Sequence, residues 1–238
     1  MVNSPRLGGR PRRSGVVMED PREGIVSAAA ELFAAQGFHA TRMSQIAQAS
    51  GLRQSSIYYW FRSKDEILRE IMEQNRVSLT AARRLVEEDA PAAVRLYIVL
   101  YQDVVQMCSA PLDFFDLEEA AHDQPDVFDD FHADYGELVD RLRTLVDEGV
   151  RDGTLEPVEA VTFVRTALSV NEGLQHRFHA GGAGAGVHDL ADSAAWTSVR
   201  SVLADVREMD AIRSAARAGV AGFTASPGLA SPRPPVGR

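Results

Sequence analysis

The chain has 238 residues, 45% of them hydrophobic and 25% charged, with a formal net charge of −9. That balance suits a globular protein of one or two domains with a substantial core. The single Cys108 excludes an internal disulfide. No apolar run approaches the roughly 20 residues needed to span a bilayer, and the arginine-bearing N-terminus has no apolar signal core. These features predict a cytoplasmic protein with no membrane partner. The charge is uneven. Residues 1–76 hold 11 Lys+Arg against 8 Asp+Glu, and residues 77–238 hold 14 against 26. A basic end on an acidic body suits contact with nucleic acid at that end.

Residues 1–18 are rich in Gly, Pro, Ser and Arg and read as a disordered basic arm, with Met18 a second candidate start. A first helix is predicted over about Pro21–Gln36, closed by Gly37, with Ile25, Ala28, Ala29, Leu32 and Phe33 as its apolar face. Thr41 to Leu68, TRMSQIAQASGLRQSSIYYWFRSKDEIL, reads as two short helices around a tight turn, followed by another helix. Ile46 and Ala47 face inward on the first. Gly51 supplies the turn, and Leu52, Ile57 and Phe61 form the apolar face of the second. This is a helix-turn-helix layout, whose second helix enters the DNA major groove. A further helix starts after Ser63, which forms a capping box with Glu66, and extends to about Glu88.

Beyond Pro91, helices are predicted over about Ala92–Ser109, Leu112–His122, Pro125–Asp152, Pro157–Ala180 and Asp189–Arg217. A Gly-rich loop, residues 181–186, separates the last two. From Gly219 onward Pro, Gly, Ser and Ala dominate, which predicts a disordered tail over 219–238. No strand pattern and no internal repeat is present. The reading is an all-α chain with four segments: 1–18, a DNA-binding domain over 19–68, a helical domain over 69–218, and 219–238.

Several separated elements resemble the DNA-binding domain of tetracycline-repressor-like (TetR) regulators. They are Gly37-Phe38, Thr41 to Ala47, Gly51, Ile57-Tyr58-Tyr59-Trp60-Phe61 and Ser63-Lys64-Asp65-Glu66-Ile67. They occur in order over about residues 22–70. The resemblance implies nine helices, a C-terminal ligand-binding and dimerisation domain, and a homodimer on a double-stranded, near-palindromic DNA operator. It also implies a small-molecule effector that releases the operator. An activating variant stays open, as do the effector, the operator sequence and the target genes.

Gln54, Ser55 and Ser56 open the recognition helix, where side chains reach base edges. Gln can pair with adenine, and Ser can donate or accept. The same residues also suit a plain helix start, with Ser55 capping and Gln54 solvated. Relatives often carry Ser-Lys-Gly-Thr here. This chain has Arg53-Gln54-Ser55-Ser56, and Arg53 adds a phosphate or guanine contact. The resemblance places Tyr58, Tyr59 and Lys64, the only lysine, on the phosphate backbone, and Trp60 and Phe61 are expected in the core. Thr41, Arg42 and Ser44 are further phosphate candidates. Arg10, in Gly9-Arg10-Pro11, resembles a minor-groove hook, although a solvated basic tail fits equally.

For the effector, polar residues among apolar ones on two helices suggest a largely apolar cavity with a few hydrogen-bonding groups. The candidates are Tyr97, Tyr101, Gln106, Phe115, Phe131, Tyr135, Asn171 and Gln175, and the competing reading puts the aromatics in the core and the polar groups in solvent. A neutral or cationic ligand is expected. The two-fold interface is expected to use Val164, Ala167, Leu168, Leu174, Phe178, Ala195, Trp196, Val199 and Leu203. Glu118/His122, His176/His179 and His132 give only isolated pairs at helical spacing, and no catalytic motif is present, so neither a metal or cofactor nor an enzyme is expected. Two other classes stay open: an architectural DNA-binding protein without effector, and a helical enzyme or metal-binding protein with a DNA-binding head.

Overall fold

The structure, a computed structural model, describes residues 20–74, 76–110, 129–181 and 186–227. All named elements among these residues are helical, and the pairings of Leu155 with Leu203 and of Val220 with Phe223 are isolated bridges. The chain divides into two units, Met1–Ile71 and Met72–Arg238.

In the first unit, helix α1 spans Pro21–Gln36. The Asp20 side chain caps it by accepting from Arg22 N at 2.8 Å, and Pro21 occupies its first turn. Helices α2, Met43–Ala49, and α3, Gln54–Trp60, follow. The turn between them depends on Gly51, whose φ of 70° is open to glycine at little cost; Leu52 N donates to Ala47 O at 2.8 Å across it. Helix α4 spans Lys64–Gln74. Ser63 Oγ accepts from Glu66 N at 3.3 Å, and the Glu66 carboxylate accepts from Arg62 N at 2.6 Å, one residue earlier than a standard capping box. Ile25, Phe33, Phe38, Ile46, Ile57, Phe61, Ile67 and Leu68 fill the core. Phe33 and Phe38 meet edge to face with ring centroids 5.1 Å apart.

The second unit is organised around one helix. Helices α5 (Val77–Leu85), α6 (Ala92–Ser109), α7 (Asp129–Asp152), α8 (Ala160–His179), α9 (Val187–Val202) and α10 (Met209–Ala218) compose it, with a 3-10 turn at Val206–Glu208. Helix α6 packs against α5, α7, α8, α9 and α10, and every residue from Ala92 to Val104 is buried. Helices that are apolar all round are buried on all sides, and α6 shows that pattern. Asp103 aside, Arg95 is the charged exception. Its guanidinium donates to Leu85 O at 3.1 Å and Val86 O at 3.4 Å, closing α5, and it pairs with Glu148 of α7.

Four expectations about the elements need correction. The helix expected over Ser63–Glu88 is two helices, α4 and α5, because Arg76 leaves helical geometry at φ −113° and ψ 26°. The helix expected over Asp189–Arg217 stops at Val202. There, Glu156 N donates to Val202 O at 2.7 Å and Ala204 N to Thr154 O at 3.1 Å. The connector at residues 154–156 thus takes backbone groups the helix would need. The tail expected from Gly219 is packed at least to Ala225. Phe223, Thr224 and Ala225 are buried, Thr224 Oγ1 donates to Arg217 O at 2.7 Å, and Gln102 Nε2 donates to Thr224 O at 2.6 Å. With these two breaks the described residues contain ten α-helices rather than nine. The arm at 1–18 and the helix expected over Leu112–His122 lie outside the described residues.

Candidate nucleic-acid interface and candidate effector site

Helix α3 has only one buried residue, Ile57, and Phe61 follows as a buried C-cap. These two side chains anchor the helix, while Arg53, Gln54, Ser55, Ser56, Tyr58 and Tyr59 are exposed. None of those six makes a side-chain hydrogen bond or ion pair among the described residues. Tyr59 is 83% exposed and Tyr58 47%, an unusual amount of aromatic surface to leave in water. Arg42 and Ser44, at the entry to α2, are exposed as well. Thus the structure brings Arg42, Ser44 and the α3 candidates together as side chains with unused hydrogen-bonding capacity in one domain. Trp60 is not in the core as expected. It is 37% exposed and meets Tyr59 edge to face, because the seven-residue helix turns only Ile57 inward.

Two phosphate candidates are committed inside the protein. The Lys64 ammonium donates to Phe38 O at 2.8 Å, His39 O at 3.1 Å and Thr41 O at 3.3 Å, and lies 4.3 Å from the Phe38 ring centroid. An ammonium has three N–H donors, and these carbonyls use them all. Partial burial lowers the Lys64 pKa, with Asp65 acting the other way. Lys64 therefore ties down the turn between α1 and α2. Thr41 is also buried; its Oγ1 donates to Gly37 O at 2.8 Å and accepts from Gln36 Nε2 at 3.0 Å. A partner missed by the sequence reading is Arg22. It pairs with Glu70 at 2.6 Å and lies over the Phe61 ring, 5.0 Å from its centroid, bracing the C-terminal end of α3. Arg10 lies outside the described residues.

In the second unit the effector candidates separate into groups. Tyr97 is buried and its hydroxyl donates to Asp192 Oδ1 at 2.7 Å. Arg213 and Arg217 of α10 bind the same carboxylate. Burial works to raise the Asp192 pKa, but the hydrogen bonds from Arg213 and Tyr97 hold it below the usual range. Tyr101 is 2.7 Å from His188 Nδ1, and its phenol is pushed up to about 12 by burial and by Asp192. These two tyrosines join α6 to α9. Gln106 is no free ligand group either: its Oε1 accepts from Ser78 N at 2.8 Å, in the first turn of α5, where a backbone donor has no helical partner.

The remaining candidates lie closer to a buried polar cluster. Asn171 and Gln175 on α8 are fully buried. Asn171 Nδ2 donates to Leu100 O at 3.3 Å and Asp103 Oδ2 at 2.9 Å, whereas its Oδ1 has no partner among the described residues. Half-buried Tyr135 of α7 donates to Glu172 Oε1 at 3.2 Å. Phe131 is also half-buried, packed edge to face on His132, and Phe115 lies outside the described residues. Asp103, missed as a site residue, sits at the centre of this cluster. Burial raises its pKa, and hydrogen bonds from Asn171 and Ser78 oppose the shift. Its signal was a carboxylate in a run of apolar residues on a helix buried all round.

The expected dimer face is largely occupied. Val164, Ala167, Leu168, Ala195, Val199 and Leu203 are buried in the subunit's own core. Only Leu174, Phe178 and Trp196 of that set keep outward surface, joined by half-buried Phe163 and exposed Val170.

Residues 25–71 match the family model for bacterial regulatory proteins of the tetR family. The HTH-type transcriptional regulator RutR of Escherichia coli strain K12 is 32% identical over 143 residues, which is 58% of this chain and 66% of RutR. The match thus spans just under two thirds of that relative. The crystal structure of Mycobacterium smegmatis AmtR is similar at 26% identity with a TM-score of 0.68, covering 87% of this chain and 95% of AmtR. AibR, solved in complex with isovaleryl coenzyme A and operator DNA, shares the fold at 19% identity, TM-score 0.64, over 78% of this chain and 99% of its own. Residues 25–71 thus form a helix-turn-helix segment of the tetR type, in a chain that as a whole is similar to transcriptional regulators of this fold.

Proposed function

We propose that this protein is a DNA-binding transcriptional regulator, a homodimeric repressor released from a near-palindromic operator by a small-molecule effector. The observation that carries the reading is the surface of α3. Arg53, Gln54, Ser55 and Ser56 stand exposed with no internal bonds, on a helix anchored by Ile57 and Phe61. Side chains held this way can read base edges without first giving up contacts in the protein. Tyr58 and Tyr59 can bring hydroxyl donors to phosphate oxygens. A chromosomal target places the work in the cytoplasm.

The dimer rests on a stripe of α8. Phe163, Val170, Leu174 and Phe178, spaced seven, four and four apart, fall on one side of the helix and keep apolar surface outward. Two copies packed through this stripe would present two recognition helices to two half-sites. The effector rests on the buried cluster at Asp103 and Asn171. An orphan acceptor in a core favours a ligand-responsive domain over a purely architectural role. Release follows if the effector binds the DNA-incompetent arrangement more tightly than the competent one. AibR, solved with operator DNA and isovaleryl coenzyme A, supports joint DNA and ligand binding in this fold.

The test is selection of bound sequences from random duplex DNA by the full chain, repeated with metabolite pools. Enrichment of a two-half-site sequence, lost on addition of a pool, is the expected result. No enrichment under any condition would refute the reading.

A further inference from the structure

The buried cluster joining α5, α6 and α8 has more acceptors than donors. Asp103 is 4% exposed and Asn171 0%. Asn171 spends its amide N–H groups on Leu100 O and Asp103 Oδ2, and its Oδ1 is left unpartnered. Ser78 supplies a hydrogen bond to the Asp103 side chain. No arginine or histidine pairs with Asp103 among the described residues. Gln106 Oε1 is directed to Ser78 N, and Gln102 Nε2 to Thr224 O. Tyr135 and Cys108 are close enough to feel the Asp103 charge, and neither is a cation. A carboxylate in such a place is costly when ionised unless a cation joins it, and the neighbouring amide oxygen needs a donor.

We propose that Asp103 and Asn171 form the recognition point for an organic cation bearing at least two N–H donors, a primary ammonium or an amidinium on an apolar body. One N–H would pair with the Asp103 carboxylate and another with Asn171 Oδ1, answering both deficits with one group. Leu100, Val104 and Leu168 of the apolar core lie on the same two helices, α6 and α8, and would meet the apolar body. An anionic group would meet the Asp103 charge with no cation to offset it. Burial already holds the Asp103 carboxyl above its usual range, so a bound cation would favour its ionised form. The inference rests on the effector reading above and narrows it to a charge class.

The probe is n-hexylammonium, titrated by calorimetry into the full chain beside hexanoate and hexanamide. Saturable binding of the ammonium, at least tenfold tighter than either competitor, is expected. Asp103→Asn and Asn171→Leu should each weaken it tenfold or more, with circular dichroism showing parent-like helix content. The ligand comparison on the parent needs no variant, so it decides the matter even where a variant does not fold. Equal binding of hexanoate or hexanamide, no saturation by hexylammonium, or parent-like affinity in a folded Asp103→Asn protein would overturn the assignment. Sequence selection on the same preparation separates the two failures. Intact DNA selectivity without ammonium binding removes only the cation assignment, and loss of DNA selectivity removes the regulator reading itself.

Discussion

The first turn of α3 and the inward side of α8 carry similar residues and use them in opposite ways. Gln54, Ser55 and Ser56 stand in water with no bond inside the protein, whereas Asn171 and Gln175 are fully buried. Exposed polar groups cost little, because water satisfies them until a partner displaces it. Buried ones must find partners inside, and most here do: Tyr97 on Asp192, Gln106 on Ser78, Gln102 on Thr224. The role of a polar side chain is therefore decided by the destination of its hydrogen bonds. On α3 all of that capacity is available to an outside molecule. In the second unit the exceptions among the described residues are Arg95 Nε and Asn171 Oδ1, and only the second is an acceptor.

The contrast can be broken by mutation. In the second unit, removing a polar group should harm folding first. Arg95→Met loses the donors that close α5 and leaves Glu148 without its buried partner. We expect a loss of about 3 kcal/mol in denaturant unfolding, and a loss within about 0.5 kcal/mol would show that the pair is screened. Lys64 belongs to the same class despite its place beside α3. Lys64→Ala removes hydrogen bonds to three carbonyls and should cost roughly 2 kcal/mol of stability. The dependence of DNA affinity on salt should stay unchanged. A slope reduced by about one would instead place the ammonium on phosphate. Gln54→Ala should change stability by less than about 0.5 kcal/mol, yet cost at least about 1 kcal/mol of discrimination at one operator position. Equal losses on operator and random DNA would take base reading away from Gln54.

The smallest effect is the pH dependence at Asp103. Its pKa in the folded chain is raised from the usual 3.8 by burial. Between these values the folded state holds more protons than the unfolded state, so this group's contribution to stability falls as pH rises through the window. Asp103→Asn cannot ionise and lacks this slope. The stability of the variant relative to the parent should therefore increase from about pH 4 upward, read from melting temperatures across a pH series. A flat difference would mean that the carboxylate is better solvated than its burial implies.

Much of the first domain was legible in the sequence because its signals are local. Gly51 marks the turn, Pro21 the helix start, and Ile57 with Phe61 the buried side of α3. The TetR resemblance identified the same segment that the family model matches. The errors came where a distant part of the chain decides the outcome. Helix α9 ends because the connector at 154–156 captures its last groups. Apolar periodicity likewise cannot separate a residue facing its own core from one facing a second copy. Val164 and Leu168 fall in the first class, while Val170 keeps outward surface. Asp103 was legible as an oddity on an apolar helix, but its uncompensated burial appears only when α5 and α8 are packed beside it.

On the proposed function, exposed, internally unbonded residues at the start of α3 read DNA sequence. Fluorescence anisotropy can test it with the duplex recovered by selection and a shuffled duplex of equal composition, using the parent and an Arg53→Ala/Gln54→Ala variant. The parent should prefer the selected duplex by a factor on the order of 10³ or more. The variant should lose most of that preference while retaining salt-dependent binding to both duplexes and the parent's melting temperature. A variant that keeps the full preference, or a parent that binds both duplexes equally, would contradict the account.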